Sequence, residues 1–261
     1  MKLANCKICG FEAPFVGVVD FNRSCMAEYN AKYPPVGVPI YYQKCSNCDF
    51  TFTTAFDDWS AGRFAEEIYN ERYIECDPDY ADARPRSMSE DLSAIFDQFK
   101  GRSVLDYGCG SGRMMEIMRE LGFRNLDGYD PISYCERPKS RYELAYSVEV
   151  IEHSPTPWET FREAVSYLSK DAVFAFTTLV VDHTIAPYDL SNWYVAPRNG
   201  HVSLYSRAAL LLVASELGYD LWTNGNFHVF VPKGNPNNVS LPTDLRIPSN
   251  YLASSSRNVH F

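Results

Sequence analysis

Between residues 92 and 232 short apolar runs alternate with stretches of helical period, the pattern of a doubly wound, mostly parallel α/β sheet. Residues 92–96 read as a helix entering the sheet and 103–107 as its first strand. Residues 113–121 follow as a helix with apolar Met114, Met115, Ile117, Met118 and Leu121. Further strands are predicted at 126–130, 142–148 and 172–177, then an amphipathic helix at 207–217 and a closing strand pair at 219–231. Only a short segment separates Asp130 from Tyr142, too little for another helix and strand. Upstream, residues 56–91 are rich in aromatic rings (Phe56, Trp59, Phe64, Tyr69, Tyr73, Tyr80) around a helix-like stretch at 63–69. These rings are expected to pack an N-terminal module of residues 1–55 against the main domain; capping an active site is the alternative. From Lys233 to residue 261 the chain turns polar, with Gly234, Pro236 and Ser254 to Ser256, and reads as an extended tail.

With 261 residues, 46% of them hydrophobic, the chain can bury one core of ordinary domain size plus a small accessory module. No apolar run approaches the ~20 residues of a membrane span, and the first residues lack the apolar region of a signal peptide, so a soluble, cytoplasmic protein is expected. A net charge of -9 opposes binding to a phosphate backbone, which excludes free nucleic acid as the expected partner. Nothing in the sequence specifies the oligomeric state.

Four of the eight cysteines fall in two Cys-x-x-Cys pairs, Cys6/Cys9 and Cys45/Cys48. Two such knuckles complete a tetrahedral thiolate set, the geometry of a zinc ribbon, with Pro34, Pro35 and Gly37 looping out before residues 40–42 return as a strand. Four ligands close the shell, so this zinc is expected to be structural. Cys25, Cys76, Cys109 and Cys135 lack metal spacing and read as ordinary small residues.

Gly108, Gly110 and Gly112 form a turn between the first strand and its helix, where a ligand can lie against main-chain N–H groups. A pyrophosphate-binding fingerprint needs a third glycine at position 113, which is Arg113, and this disfavours NAD. Asp130 ends the second strand about twenty residues on, where a carboxylate can accept the ribose hydroxyls of an adenosyl group. Asp106 is placed to orient an amino-acid end of the same ligand. Pro131 and Ile132 are candidates for packing on adenine, and Cys109 and Ser147 join the expected binding set.

Residues 104–112 (Val-Leu-Asp-Tyr-Gly-Cys-Gly-Ser-Gly), then 128–131 (Gly-Tyr-Asp-Pro), then 147–153 (Ser-Val-Glu-Val-Ile-Glu-His) resemble, in that order, three motifs of class I S-adenosylmethionine-dependent methyltransferases. The resemblance covers residues 92–232 and implies a Rossmann-like fold with S-adenosylmethionine as methyl donor. The cysteine ribbon resembles the zinc module found at the N-terminus of some methyltransferases of sugar and secondary-metabolite pathways.

Glu149, Glu152 and His153 follow the strand at 142–148, at the edge where open α/β sheets bind ligands. His153 is the nearest base for a nucleophile attacking the methyl group; a core or capping histidine is the alternative. If this segment turns helically, the three side chains project together, and His201 completes a set of four. Such a set is similar to that of the metal-dependent small-RNA 3′-end 2′-O-methyltransferases and ubiquinone-pathway O-methyltransferases, which implies Mg2+ or Mn2+ beside the acceptor hydroxyl. Acids that hold loops beside a pocket-lining histidine are the reading without metal. Trp193, Tyr194 and Arg198 lie in the loop after the fifth strand, with rings to stack on an acceptor and a guanidinium for an anionic group, or else simply pack that loop. The expected function is O-methylation of a small polar acceptor such as a saccharide or sugar-containing metabolite. Alternatives are C-methylation of a nucleotide-linked keto sugar with His153 or Tyr146 as base, a zinc-ribbon and adenosyl-binding protein without catalysis, and an NAD(P)-dependent oxidoreductase.

Overall fold

A computed structural model describes residues 4–26, 32–133, 137–182, 184–234, 241–242 and 245. Cys135 and most of the expected tail lie outside the described residues. The chain opens with short strands β1 (Ala4–Asn5) and β2 (Glu12–Ala13), then β3 (Phe15–Asp20), β4 (Pro39–Lys44) and β5 (Thr51–Thr53). Helix α1 (Ala61–Glu67) starts where Ser60 accepts from Arg63 N, and α2 (Ala83–Ile95) leads into β6 (Ser103–Tyr107). Next come α3 (Arg113–Glu120), β7 (Asn125–Tyr129), β8 (Tyr142–Ser147) and α4 (Pro157–Ser166), which has proline in its first turn. The remaining elements are β9 (Leu168–Thr177), β10 (Ser203–Leu204), α5 (Arg207–Glu216), β11 (Tyr219–Thr223) and β12 (Phe227–Pro232).

Six strands form the main sheet in the order β11-β12-β9-β8-β6-β7, with β7, β6, β8 and β9 parallel and β12 antiparallel to both of its neighbours, β9 and β11. The central strands are buried on both faces, which is why Leu144 to Tyr146 and Val173 to Phe176 are continuously apolar. Helices α2 and α3 cover one face, packing Leu92, Met114 and Met118 on Val104, Tyr146 and Val173. Helices α4 and α5 cover the other, packing Phe161, Leu210 and Val213 on Leu105, Phe174, Phe176 and Phe230. The doubly wound, mostly parallel sheet is therefore present. Strand β7 is the last in its sheet, consistent with the short segment after Asp130.

The first strand in sequence, β6, pairs with β7 on one side and β8 on the other, so the crevice beyond their carboxyl ends is a topological switch point, where open sheets bind ligands. A second, antiparallel sheet runs β10-β5-β4-β3. Its outer strand β10 comes from the loop after β9, and Ser203 pairs with Phe52. The N-terminal strands are thereby anchored to the segment that carries His201.

Candidate active site

One end of the candidate site is built on the turn after β6. Gly108 N donates to Tyr129 O at 2.7 Å, and Gly110 N donates to Asp130 Oδ2 at 2.9 Å. Asp130 Oδ1 accepts from Ile132 N and Ser133 N, so one carboxylate ties the glycine turn to the loop after β7. Gly108 has φ +86, and a Cβ there would lie 2.3 Å from Val150 Cγ2. The turn thus packs directly on the segment that carries the acids and His153. Gly110, at φ +50, faces open space. Asp106 is buried, its Oδ2 has no partner, and burial pushes its carboxyl up to about 7, with the Asp130 charge adding to the effect. Ser147 is buried at the end of β8 with its hydroxyl unpartnered.

These groups open on a cavity of about 820 Å³. Asp106, Gly108, Cys109, Gly110, Asp130, Pro131 and Ile132 line it, whereas Gly112 caps α3 in the left-handed region and Ser147 stays behind the wall. Glu149, His153 and His201 also line the cavity. The chain there is not α-helical: Ile151–His153 form a 3-10 turn, and Glu149 precedes it at φ +54. As a result Glu152 turns inward to complete burial, and Tyr194 Oη donates to its Oε1. Its Oε2 and His153 Nδ1 are buried without partners. One ligand atom each from Glu152, His153 and His201 lie within 4.8 Å of one another; Glu149 is outside that set. Burial holds both imidazoles below the ordinary histidine value, His201 at about 4, so both are neutral near pH 7. Burial also raises the Glu149 and Glu152 carboxyls. His201 Nδ1 meets the Tyr194 carbonyl at 2.9 Å, which fixes the ring.

The loop residues singled out in the sequence sit around this centre in different ways. Tyr194 lies buried beneath it, holding Glu152 through its hydroxyl and His201 through its carbonyl. Arg198 is buried, donating to Ile68 O and Tyr33 Oη. Trp193 is exposed, with its ring on Tyr194. None of the three lines the cavity.

The far wall comes from the segment upstream of β6. Trp59, Phe64, Tyr69, Tyr73 and Tyr80 line the cavity beside a two-pronged Asp77–Arg84 ion pair with N···O distances of 2.7 and 2.8 Å. The same segment also packs on the second sheet, with Phe64, Ile68 and Tyr73 clustered with Ile40, Tyr42 and Leu204. The aromatic run therefore both lines the cavity and packs on the N-terminal strands. Asp77 and Arg84 were missed, because an acid and an arginine seven positions apart carry no spacing signal.

Away from the cavity, Cys6, Cys9, Cys45 and Cys48 converge. Sulfur separations of 3.3 Å for Cys9–Cys45 and 3.6 Å for Cys6–Cys48 and Cys9–Cys48 are far too long for disulfides. They approach the roughly 3.8 Å edge of a tetrahedron with Zn–S bonds of about 2.3 Å. Backbone N–H groups of Ile8, Asn47 and Cys48 point at Cys6 and Cys45 sulfurs, and Gly10 and Asp49 adopt φ +75 and +57 just after each knuckle. The knuckles grip the chemical centre's flank: Lys7 Nζ donates to Pro155 O at 3.0 Å, and Trp158 Nε1 donates to Ile8 O at 2.6 Å.

A strand, a glycine turn bound to the next strand's acid and an acid–histidine segment thus meet in one crevice at the switch point. The family model described as "Methyltransferase domain" matches residues 80–224, more than half the chain, and the chain belongs to this family. It is an S-adenosylmethionine-dependent methyltransferase. Similar solved structures include an O-methyltransferase family protein from Burkholderia thailandensis, with a TM-score of 0.42 and 10% identity over 68% of this chain and 69% of that one. A Thermotoga maritima S-adenosylmethionine-dependent methyltransferase, described as a possible histamine N-methyltransferase, has a TM-score of 0.42 and 16% identity over 62% and 97%. The plantazolicin methyltransferase BpumL in complex with SAH has a TM-score of 0.46 and 12% identity over 66% and 94%. No curated protein sequence matches the chain. No helix among the described residues is long and apolar enough to cross a membrane.

Proposed function

We propose that this methyltransferase O-methylates a small polar acceptor, a saccharide or sugar-containing metabolite. What supports the reading is that the neutral His153 and His201 line one cavity with the glycine turn and the aromatic wall. S-adenosylmethionine supplies an electrophilic methyl group on a sulfonium that leaves as a thioether. Asp130 holds the ribose and Asp106 the α-ammonium, with Gly108, Cys109 and Gly110 forming the floor, Pro131 and Ile132 at the adenine, and Gly112 and Ser147 supporting from behind. The acceptor oxygen attacks the methyl carbon as the carbon–sulfur bond breaks, and its proton passes to the His153 imidazole. Tyr194 positions this centre through Glu152 and His201, while Arg198 and Trp193, outside the cavity, pack the loop that carries it.

A second reading adds a divalent ion, Mg2+ or Mn2+, on Glu152, His153 and His201. Its support is their convergence within 4.8 Å and the unpartnered Glu152 Oε2 and His153 Nδ1. An ion there would lower the pKa of the acceptor hydroxyl. The four thiolates fit one structural zinc, with every ligand position filled by protein.

The test incubates cell extract with isotopically labelled methyl donor and purified protein. Label should enter small polar products, and His153→Ala should abolish it. Loss of transfer on chelation, restored by Mg2+ or Mn2+, selects the metal-assisted route; unchanged transfer selects the imidazole alone. Persistence of labelling in His153→Ala without any ion dependence refutes both.

A further inference from the structure

We propose that the acceptor is an uncharged, hydroxyl-bearing ring held against the wall from residues 59–84, with the Asp77–Arg84 pair as its polar contact. This deepens the saccharide reading and rests on it.

Charge is the first argument. Three guanidinium groups line the cavity among the described residues, and no lysine does. Each guanidinium is already paired: Arg84 with Asp77, Arg113 with Asp82 and Glu116 at 2.7 and 2.8 Å, and Arg137 with Glu163 at 3.3 Å. Six acidic side chains share the wall, namely Asp77, Asp106, Asp130, Glu149, Glu159 and Glu163; burial raises Asp106 and Glu149, and the other four still outnumber the three guanidinium groups. A phosphate or carboxylate on the acceptor would meet no unpaired arginine or lysine in this wall and would face an excess of acids. Nucleotide-linked and acidic sugars are thereby disfavoured against neutral ones.

Shape is the second. Tyr73 lies edge-on to both Tyr69 and Tyr80, with ring centroids 5.3 and 5.0 Å apart, so the wall offers ring faces and edges to a flat ligand. Beside them the Asp77–Arg84 pair is neutral overall. Arg84 spends two N–H donors on Asp77 and keeps three, while the carboxylate retains lone pairs. Alternating donors and acceptors with no net charge match adjacent hydroxyls better than an anion. Tyr69 Oη, buried in the same wall without a partner, marks a further polar position. A Cβ on Gly200 would lie 2.4 Å from that oxygen and 2.9 Å from His153 Nδ1, so the wall and the base meet at one point.

The experiment is calorimetry on the full chain saturated with S-adenosylhomocysteine, titrated with neutral methyl glycosides, the corresponding hexuronic acids and nucleoside diphosphate hexoses. A neutral glycoside should bind at least ten-fold more tightly than its charged counterparts. Tyr80→Ala, at the exposed rim, and Trp59→Ala should each weaken that binding at least five-fold and leave S-adenosylhomocysteine affinity unchanged. Tighter binding of charged sugars, or binding indifferent to both substitutions, overturns the proposal alone; no binding of any sugar overturns the saccharide reading and the proposal with it. Failure to bind S-adenosylhomocysteine would instead overturn the reading it rests on.

Discussion

Replacing Asp106 by asparagine should flatten the pH dependence of donor binding and at the same time stabilise the free protein at alkaline pH. The Asp106 carboxyl is 3% exposed, and burial moves it from 3.8 to about 7. A carboxyl raised by about three units costs the fold about 4 kcal/mol once ionised, at about 1.4 kcal/mol per unit. The sign follows from the direction of the shift. Stability is full below the unfolded value near 4 and is lost as pH rises through about 7. Donor binding runs the other way, because the α-ammonium of S-adenosylmethionine is attracted only by the ionised carboxylate. About half the sites are ionised at pH 7 and about 3% at pH 5.5, so affinity should fall about 15-fold over that interval. Calorimetric titrations from pH 5.5 to 8.5, with urea denaturation of the free protein at pH 8, read both effects. In Asp106→Asn the affinity should be weaker and flat, and stability at pH 8 should exceed that of the wild type. A variant that keeps the 15-fold slope, or is less stable at pH 8, refutes the reasoning.

Native mass spectrometry should find one zinc per chain, and Cys45→Ser should lose it together with cooperative unfolding of the N-terminal strands; a protein that folds normally without metal would contradict the zinc reading. Lys7→Met removes the hydrogen bonds to Thr53 O and Pro155 O and the contact with Asp57. It should cost about 1–3 kcal/mol in urea denaturation, from two part-buried carbonyls that lose a charged donor. Donor affinity should stay within two-fold, since Lys7 does not touch the glycine turn; a ten-fold loss would show that the knuckle supports the donor end as well.

The main sheet was legible because its central strands are buried on both faces and are marked by glycine turns and periodic helices. Boundaries suffered where polarity hid them. Strand β9 begins at Leu168, but Ser169, Lys170 and Asp171 are not buried and read as loop. Helix α2 begins at Ala83, ahead of the predicted stretch, because its first turns carry Arg84, Arg86 and Ser87. That the glycine turn and Asp130 lie together was legible because glycine and acid spacing are local. Helical spacing grouped Glu149 with Glu152 and His153, with His201 added from a distant loop; the chain instead gathers Glu152, His153 and His201, because the left-handed Glu149 parts the two acids and no residue type there demands it. The far wall was legible only as a run of rings. That Asp77 and Arg84 face His153 across one cavity depends on a fold that brings residues 59–84 over the switch point, and no local pattern encodes it.

The central claim is tested most directly by calorimetry of the wild-type chain at pH 7.5 with S-adenosylmethionine, S-adenosylhomocysteine and NAD. One site per chain for each adenosyl ligand, weakened by Asp130→Ala, and no heat with NAD is the predicted result. Preference for NAD, or no binding of either adenosyl ligand, would contradict the account.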